Sequence, residues 1–262
     1  GVAGGAGDNA AGALGAGVTR PGEALLILGT SGVVFAATKR FQPNPDKAVH
    51  AFRHAVPGLW HQTAVILSAA ASLDWAARTL GYQSAGAALA ALEAAPPVTA
   101  VPIFLPYLSG ERAPHDDPDA SGVFFGLTHE TSREAMILAV LEGVAFALAD
   151  GADAMRDGGA RLDRLHVTGG GARSALWGEI LASTLNAELV YREAAALGPA
   201  CGAAFCARSA VTGKSLPGVD ALSSDPGRAV RPDPERRSML EARRARFKTL
   251  YPALAAHMKG LP

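Results

Sequence analysis

Two cysteines in 262 residues are too few for a disulfide framework. Cys201 and Cys206 fall in an alanine-rich stretch with helical propensity, and they read as small buried residues of a reducing compartment. Aromatic residues are scarce at 6%, and charged residues at 18% are few for a globular chain. Lysine plus arginine equals aspartate plus glutamate at 24 each. With no basic cluster interleaved with aromatics, a nucleic-acid surface is excluded. No uninterrupted apolar run reaches the ~18 residues of a membrane span, and no basic-then-apolar leader opens the chain. The expectation is a cytoplasmic protein without membrane contact. Metal signals are missing as well. His50, His54 and His61 lie at no convincing zinc spacing. Asp116, Asp117 and Asp119 lack the glycine and terminal glutamate of a calcium loop.

Apolar residues, by contrast, make up 49%, and there are 30 glycines. That is enough for a sizeable core with many tight turns. The opening "GVAGGAGDNAAGALGAG" reads as a strand end followed by a helix beginning near Asp8. Because the chain begins inside what looks like a structured motif, a preceding segment is expected. "EALLILGTSGVVFAAT" is two apolar runs hinged at Gly29-Thr30-Ser31-Gly32, the pattern of a hairpin with a turn of about four residues. "LWHQTAVILS" reads as a strand. "SAAASLDWAARTLG" reads as a helix closed by Gly81, and a second helix is expected over about 84–95. "VPIFLPYL" is a short buried strand leading into the turn-rich "SGERAPHDDPDASG". There Glu111 and Arg112 read as organisers of the loop, through hydrogen bonds or an ion pair.

The longest predicted helix is "TSREAMILAVLEGVAFALADGADAM", capped by Thr131 or Ser132 and carrying Glu142 as a candidate buried acid. Then "RLHVTGGGARSALWGEILASTL" gives a strand, three glycines and a helix that Ser174 would cap. "AELVYRE" is a strand and "GPACGAAFCARSAV" a helix. From about residue 233 an Arg/Glu-rich helix runs to near Tyr251 with a solvated face. Strands alternating with helices, and no linker between them, predict one mixed α/β unit.

Three motifs carry the chemistry. Gly5-Ala6-Gly7-Asp8-Asn9-Ala10 matches a dinucleotide fingerprint on paper, but the following strand ends without the acid that would hold a ribose. From position alone Asp8 reads as a helix N-cap; the glycines around it, which a cap does not need, argue for a reactive carboxylate. The small residues at Gly29–Ser31 form a nest of the size of a phosphate. Gly169, Gly170 and Gly171 follow a strand and precede a helix, so a flat ligand can lie on the backbone beside the positive end of a helix.

An isolated carboxylate, a phosphate nest and a glycine floor form the second half of an actin-like ATPase cleft. On "VAGGAGDNAAGALG", "LGTSGVVF", "LSAAASLDWAA", "FLPYLSGERAPH", "GVFFGLTHETSREAMILAVLEGVAFAL", "VTGGGARSALWGEILA" and "LGPACGAA", the chain resembles the C-terminal domain of the FGGY carbohydrate kinases, and within them the xylulokinase branch. The resemblance implies an actin-like, ribonuclease H-like fold, with a mixed sheet flanked by helices, as the second of two domains. It makes residues 1–262 the ATP-binding domain, with a helical tail from about 233. Asp8 becomes the base for the sugar hydroxyl, with Asn9 beside it at the sugar. Gly29, Thr30 and Ser31 become contacts for the ATP phosphates, and Gly169, Gly170, Gly171 and Ala172 the adenosine pocket.

Mg2+ would be held mainly by an N-terminal domain absent here, with no metal ligand in this chain. The implied partners are ATP, a pentulose, that first domain and a possible second copy of the enzyme. The implied reaction is phosphorylation of D-xylulose to its 5-phosphate, which this chain alone would not perform. Ribulose or another polyol as acceptor, and a non-catalytic nucleotide-binding module of actin fold, stay open as alternatives.

Overall fold

A computed structural model describes residues 2–192, 198–216 and 227–260. Its centre is the hairpin of strands β1 (Ala24–Leu28) and β2 (Gly32–Thr38), paired antiparallel from Ala24↔Ala36 to Leu28↔Gly32. The tip is shorter than expected, three residues, because Gly32 already pairs with Leu28. On one side β2 pairs with β4 (Trp60–Ile66), and β4 with the edge strand β3 (His50–Arg53). On the other, β1 pairs parallel with β7 (Arg164–Thr168), and β7 parallel with β8 (Glu188–Tyr191). Strand β9 (Arg228–Val230) closes that edge, giving a seven-stranded sheet in the order β3-β4-β2-β1-β7-β8-β9. A separate two-stranded sheet joins β5 (Ile103–Leu105) to β6 (Val123–Phe125).

The hairpin is buried on both faces, as a strand within an α/β sheet must be. Alternation divides its side chains. Leu26, Leu28, Val34 and Ala36 join the main core, while Leu25, Phe35 and Ala37 face Ala13, Ala16 and Val18 around helix α1 (Asp8–Gly15). Residues 2–7 form no strand, contrary to the reading of the opening stretch. The small residues of α1 have a packing reason. Helix α6 (Gly198–Thr212) lies against α1 so closely that a Cβ on Gly202 would enter the carbonyl of Ala11, and one on Gly15 would stand 2.6 Å from the carbonyl of Gly198. Gly4, Gly5 and Gly7 have no such neighbour and face open space. Both cysteines, on α6, are half-buried, not fully buried as expected.

Helices α2 (Ala70–Thr79) and α3 (Ala85–Ala94) pack on the main-core face. The central helix α4 (Arg133–Asp157) is long and apolar enough to cross a membrane, but here it is a core helix, buried along almost its whole length. Ser132 caps it, its hydroxyl accepting from the Ala135 N–H at 3.1 Å. Helix α5 (Ala175–Leu185) is capped the same way by Ser174, which accepts from the Trp177 N–H at 3.2 Å.

The tail helix α7 (Pro234–Met258) corrects two expectations. It continues past Tyr251, with Pro252 inside it. Nor is its basic face merely solvated. Arg243 Nε donates to Glu142 Oε2 at 2.7 Å, and its other nitrogens donate to the carbonyls of Val101 and Pro102. Arg244 pairs with Asp150, and with Asp153 at 2.8 Å. Glu142 and Asp150 are buried acids of α4, and burial pushes both carboxyls up while the arginines pull them back. Removing Arg243 would take away the ion pair of buried Glu142, and removing Arg244 would leave buried Asp150 only the longer pairing with Lys248 at 3.7 Å, so α7 is an integral clamp on the core helix.

The expected pH response follows from three buried histidines. Burial pushes His54, His61 and His166 down to about 4, so the native state holds them neutral where the unfolded chain, at 6.5, takes up protons. Their native-state contribution is complete above pH 6.5 and is lost as pH falls towards 4. At pH 5 each costs about 2 kcal/mol. His115, pushed down to about 4, adds to these three, while Glu111, pushed up to about 7 by burial, and the raised carboxyls of Glu142 and Asp150 work in the opposite direction. The melting temperature should therefore fall by roughly 10 °C between pH 7.5 and pH 5. Thermal melts followed by circular dichroism would test this, and a flat profile over that range would show that the three rings titrate as if exposed.

Candidate active site

In an open α/β sheet, ligands bind beyond the carboxyl ends of the parallel strands. Here β1 and β7 are parallel neighbours, with Ile27 opposite Thr168. The hairpin tip that follows β1 and the glycine turn that follows β7 therefore stand side by side, with the end of β8 next in line. Helix α1 presents Asp8 to the same place.

Each glycine of the turn has its own reason. Gly169 has φ +101°, and a Cβ there would lie 2.5 Å from the carbonyl oxygen of Leu28. A Cβ on Gly171 would stand 2.7 Å from the Leu28 side chain and 3.0 Å from Trp177. Gly170 has ordinary φ and open space where its side chain would be. Fold geometry asks for glycine at 169 and 171. At 170 only something outside the chain's own packing can. The turn continues as a short 3₁₀ segment, Gly170–Arg173. Within it the side chain of Ala172 lies outside the described residues.

The hairpin tip is oriented by α2, which has no side-chain N-cap. The Ala69 and Ala71 N–H groups donate to the Thr30 carbonyl at 2.8 and 3.3 Å, and the Ala70 N–H donates to the Gly29 carbonyl at 2.9 Å. The Ser31 carbonyl accepts from the Gly29 N–H. With its carbonyls occupied, the tip offers an approaching anion its remaining amides and the Thr30 and Ser31 hydroxyls.

Asp8 is the first residue of α1, and the N-cap position belongs to Gly7, which revises the reading of Asp8 as a cap. The Asp8 carboxylate is exposed; Oδ1 accepts from the Asn9 N–H at 2.8 Å, which leaves Oδ2 to a ligand.

The cleft has two lobes. One of about 730 Å³ is lined by Asp8, Asn9, Gly29, Ser31, Gly169 and Gly170, with Tyr191 and Arg192 at the end of β8. The other, of about 580 Å³, is lined by Thr30, Gly170, Gly171 and Trp177 on one side, and by Ala70, Leu73 and Asp74 of α2 with Ala85 and Leu89 of α3 on the other. Gly29, Gly170 and Arg173 line both. Both volumes suit a small molecule. Every residue expected from the sequence whose side chain is described lies on this cleft. The second wall, from α2 and α3, was not foreseen, nor were Arg173, Tyr191 and Arg192. The spacing of Ala70, Leu73 and Asp74 on one helical face was the available signal.

Comparison with known proteins agrees with this architecture. The pattern of the FGGY family of carbohydrate kinases, C-terminal domain, matches residues 24–211. A xylulose kinase of Escherichia coli K12 is 45% identical over 255 residues, 97% of this chain and 52% of the relative. One of Klebsiella pneumoniae is 49% identical over 210 residues, 80% of this chain and 43% of the relative. Among solved structures, a xyloylose kinase from Brucella ovis superposes with a TM-score of 0.88 at 42% identity, covering 96% of this chain and 51% of its own. This chain thus spans about half the length of the relatives it matches. The mixed sheet with helices on both faces is the actin-like ATPase fold, and the chain belongs to the FGGY family of carbohydrate kinases, as a C-terminal domain most like that of the xylulose kinases.

Proposed function

We propose that this chain is the ATP-binding half of a cytoplasmic kinase that transfers the terminal phosphoryl group of ATP to D-xylulose, giving the 5-phosphate. The observation that carries the reading is the meeting of Asp8, the Gly29–Ser31 tip and the Gly170 floor on one cleft. The names of the relatives supply the sugar.

In this reading the lobe between Gly170–Gly171 and the α2–α3 wall takes adenosine, and the tip takes the phosphates. Asp8 receives the proton of the sugar hydroxyl as its oxygen attacks, with Asn9 beside it at the sugar. A carboxylate in the first turn of a helix is favoured by the dipole, and phosphoryl transfer asks the protein chiefly for positioning and charge neutralisation. Among the described residues no three His, Cys, Asp or Glu side chains gather to hold a metal. A magnesium ion bound with the nucleotide would keep most of its ligands from phosphates and water, and in this reading it sits against the other half of the enzyme. That other half faces this cleft across the substrates, and turnover needs both.

The test is a coupled assay of ADP release by the complete enzyme. D-xylulose should exceed D-ribulose and glycerol in kcat/KM by at least ~10-fold, the discrimination expected of a site that hydrogen-bonds its sugar. A better rate with another acceptor would move the substrate. ATP turnover indifferent to any sugar would make the chain a nucleotide-binding module.

A further inference from the structure

Glu111 does not line the cleft, yet it is 2% exposed and held with care. Its Oε1 accepts from the Leu67 N–H at 2.9 Å and from the Arg112 N–H at 2.8 Å. Oε2 is buried without a hydrogen-bond partner. The loop that carries Glu111 is fixed at both ends. Glu111 and Asp117 exchange backbone hydrogen bonds at 2.9 and 2.8 Å, and the Ala113 N–H donates to the Val65 carbonyl at 3.0 Å. No ion pair to Arg112 is needed to organise it, since the backbone amides do so.

What Leu67 leads to gives the arrangement its meaning. Two and three residues on, the Ala69 and Ala70 N–H groups donate to the carbonyls of Thr30 and Gly29. A strap of four residues, 67–70, thus hangs from Glu111 at one end and holds the hairpin tip at the other. A carboxylate buried with only two amide donors is a costly anchor. An ordinary loop could satisfy the Leu67 N–H with a neutral carbonyl. Burial holds the Glu111 carboxyl up at about 7, so above that pH it is ionised and its bonds to the two amides are charge-assisted, roughly twice as strong as neutral ones.

We infer that Glu111 is a positioning residue for the phosphoryl donor: through the 67–70 strap it sets the Gly29–Ser31 tip, and so the affinity for the ATP phosphates. The inference rests on the reading of that tip as the phosphate site.

Three variants of the complete enzyme decide it, each assayed at pH 8, where the Glu111 carboxyl is ionised, with ATP varied at saturating sugar and the reverse. E111A removes the anchor and should raise the KM for ATP by ~10-fold. E111Q keeps a neutral acceptor for both amides and should raise it by only ~3-fold. In both, the KM for sugar should stay within about twofold, the scatter expected of a site left untouched. A merely structural role would instead lower the melting temperature and the active fraction while leaving the KM for ATP unchanged, and that result overturns the inference. If E111A does not fold, E111Q decides alone, and a wild-type KM for ATP overturns it. T30A tests the underlying reading. If T30A leaves the KM for ATP untouched, the tip is not the phosphate site and both proposals fall. If T30A raises it while the Glu111 variants do not, only the role of Glu111 falls.

Discussion

Asp8→Asn in the complete enzyme should lower kcat by two or more powers of ten, with the KM values for ATP and sugar within a few-fold of the parent. The substitution is isosteric, and the amide oxygen can still accept from the Asn9 N–H as Oδ1 does at 2.8 Å. What is lost is a group able to receive the hydroxyl proton, an interaction made only as the reaction proceeds. The side chain is exposed at the start of α1, so its contribution to the fold is the small term of an acid at a helix N-terminus, under ~1 kcal/mol. Stability and chemistry are therefore separable here. Steady-state kinetics beside a thermal melt would check both, and a variant with near-normal turnover would reduce Asp8 to a helix-terminal acid.

The elements that the sequence announced were those whose signal is local. The hairpin over 23–38, the capped helices at Ser132 and Ser174, and the helix closed by Gly81 each rest on periodicity or on a terminus chemistry. The strands it did not announce, β3, β6 and β9, are only three or four residues long, and β6 and β9 pair with strands 18 or more residues away. β3 is His50-Ala51-Phe52-Arg53, without an apolar run, and β6 is the three apolar residues Val123–Phe125, too short a run to stand out. Pairing with a neighbouring strand, not local propensity, makes them strands. The tail shows the same limit. A run such as "PERRSMLEARRARF" reads as solvated from its charges, and nothing local says that Arg243 and Arg244 meet Glu142 and Asp150 about a hundred residues away.

The site was legible for a related reason. Glycine and a lone acid stand out against any background, and the topology then places them together, because β1 and β7 are parallel neighbours. The wall from α2 and α3 was hidden, since Ala70, Leu73 and Ala85 are ordinary helix residues. Of the small residues in the opening stretch, Ala11, Gly12 and Gly15 serve the contact with α6. Gly4, Gly5 and Gly7 face open space, so no packing among the described residues requires glycine there.

The glycine turn should separate folding from binding within three consecutive residues. Gly170→Val places a side chain where the protein has open space and φ is ordinary, so the fold should accept it. That side chain would enter the cleft where its two lobes join, since Gly170 lines both. ATP affinity should fall by on the order of a hundredfold, the effect of losing one well-packed contact region in a binding site. Sugar affinity should stay close to the parent. Gly169→Ala should do the reverse. Its φ of +101° disfavours any L side chain, and the added Cβ would meet backbone, the Leu28 carbonyl, which cannot swing away. A cost of ~3 kcal/mol in stability is expected, together with loss of the β1–β7 edge that orients the cleft. Titration calorimetry with ATP and thermal melts on both variants would distinguish the two effects. If Gly170→Val binds ATP as the parent does, the turn is not the nucleotide floor, and its second glycine has no explanation in the structure. If Gly169→Ala melts with the parent, the close approach of Leu28 to the turn is softer than the geometry states. The predicted outcome is one folded variant that cannot hold nucleotide, and a neighbour that loses stability first.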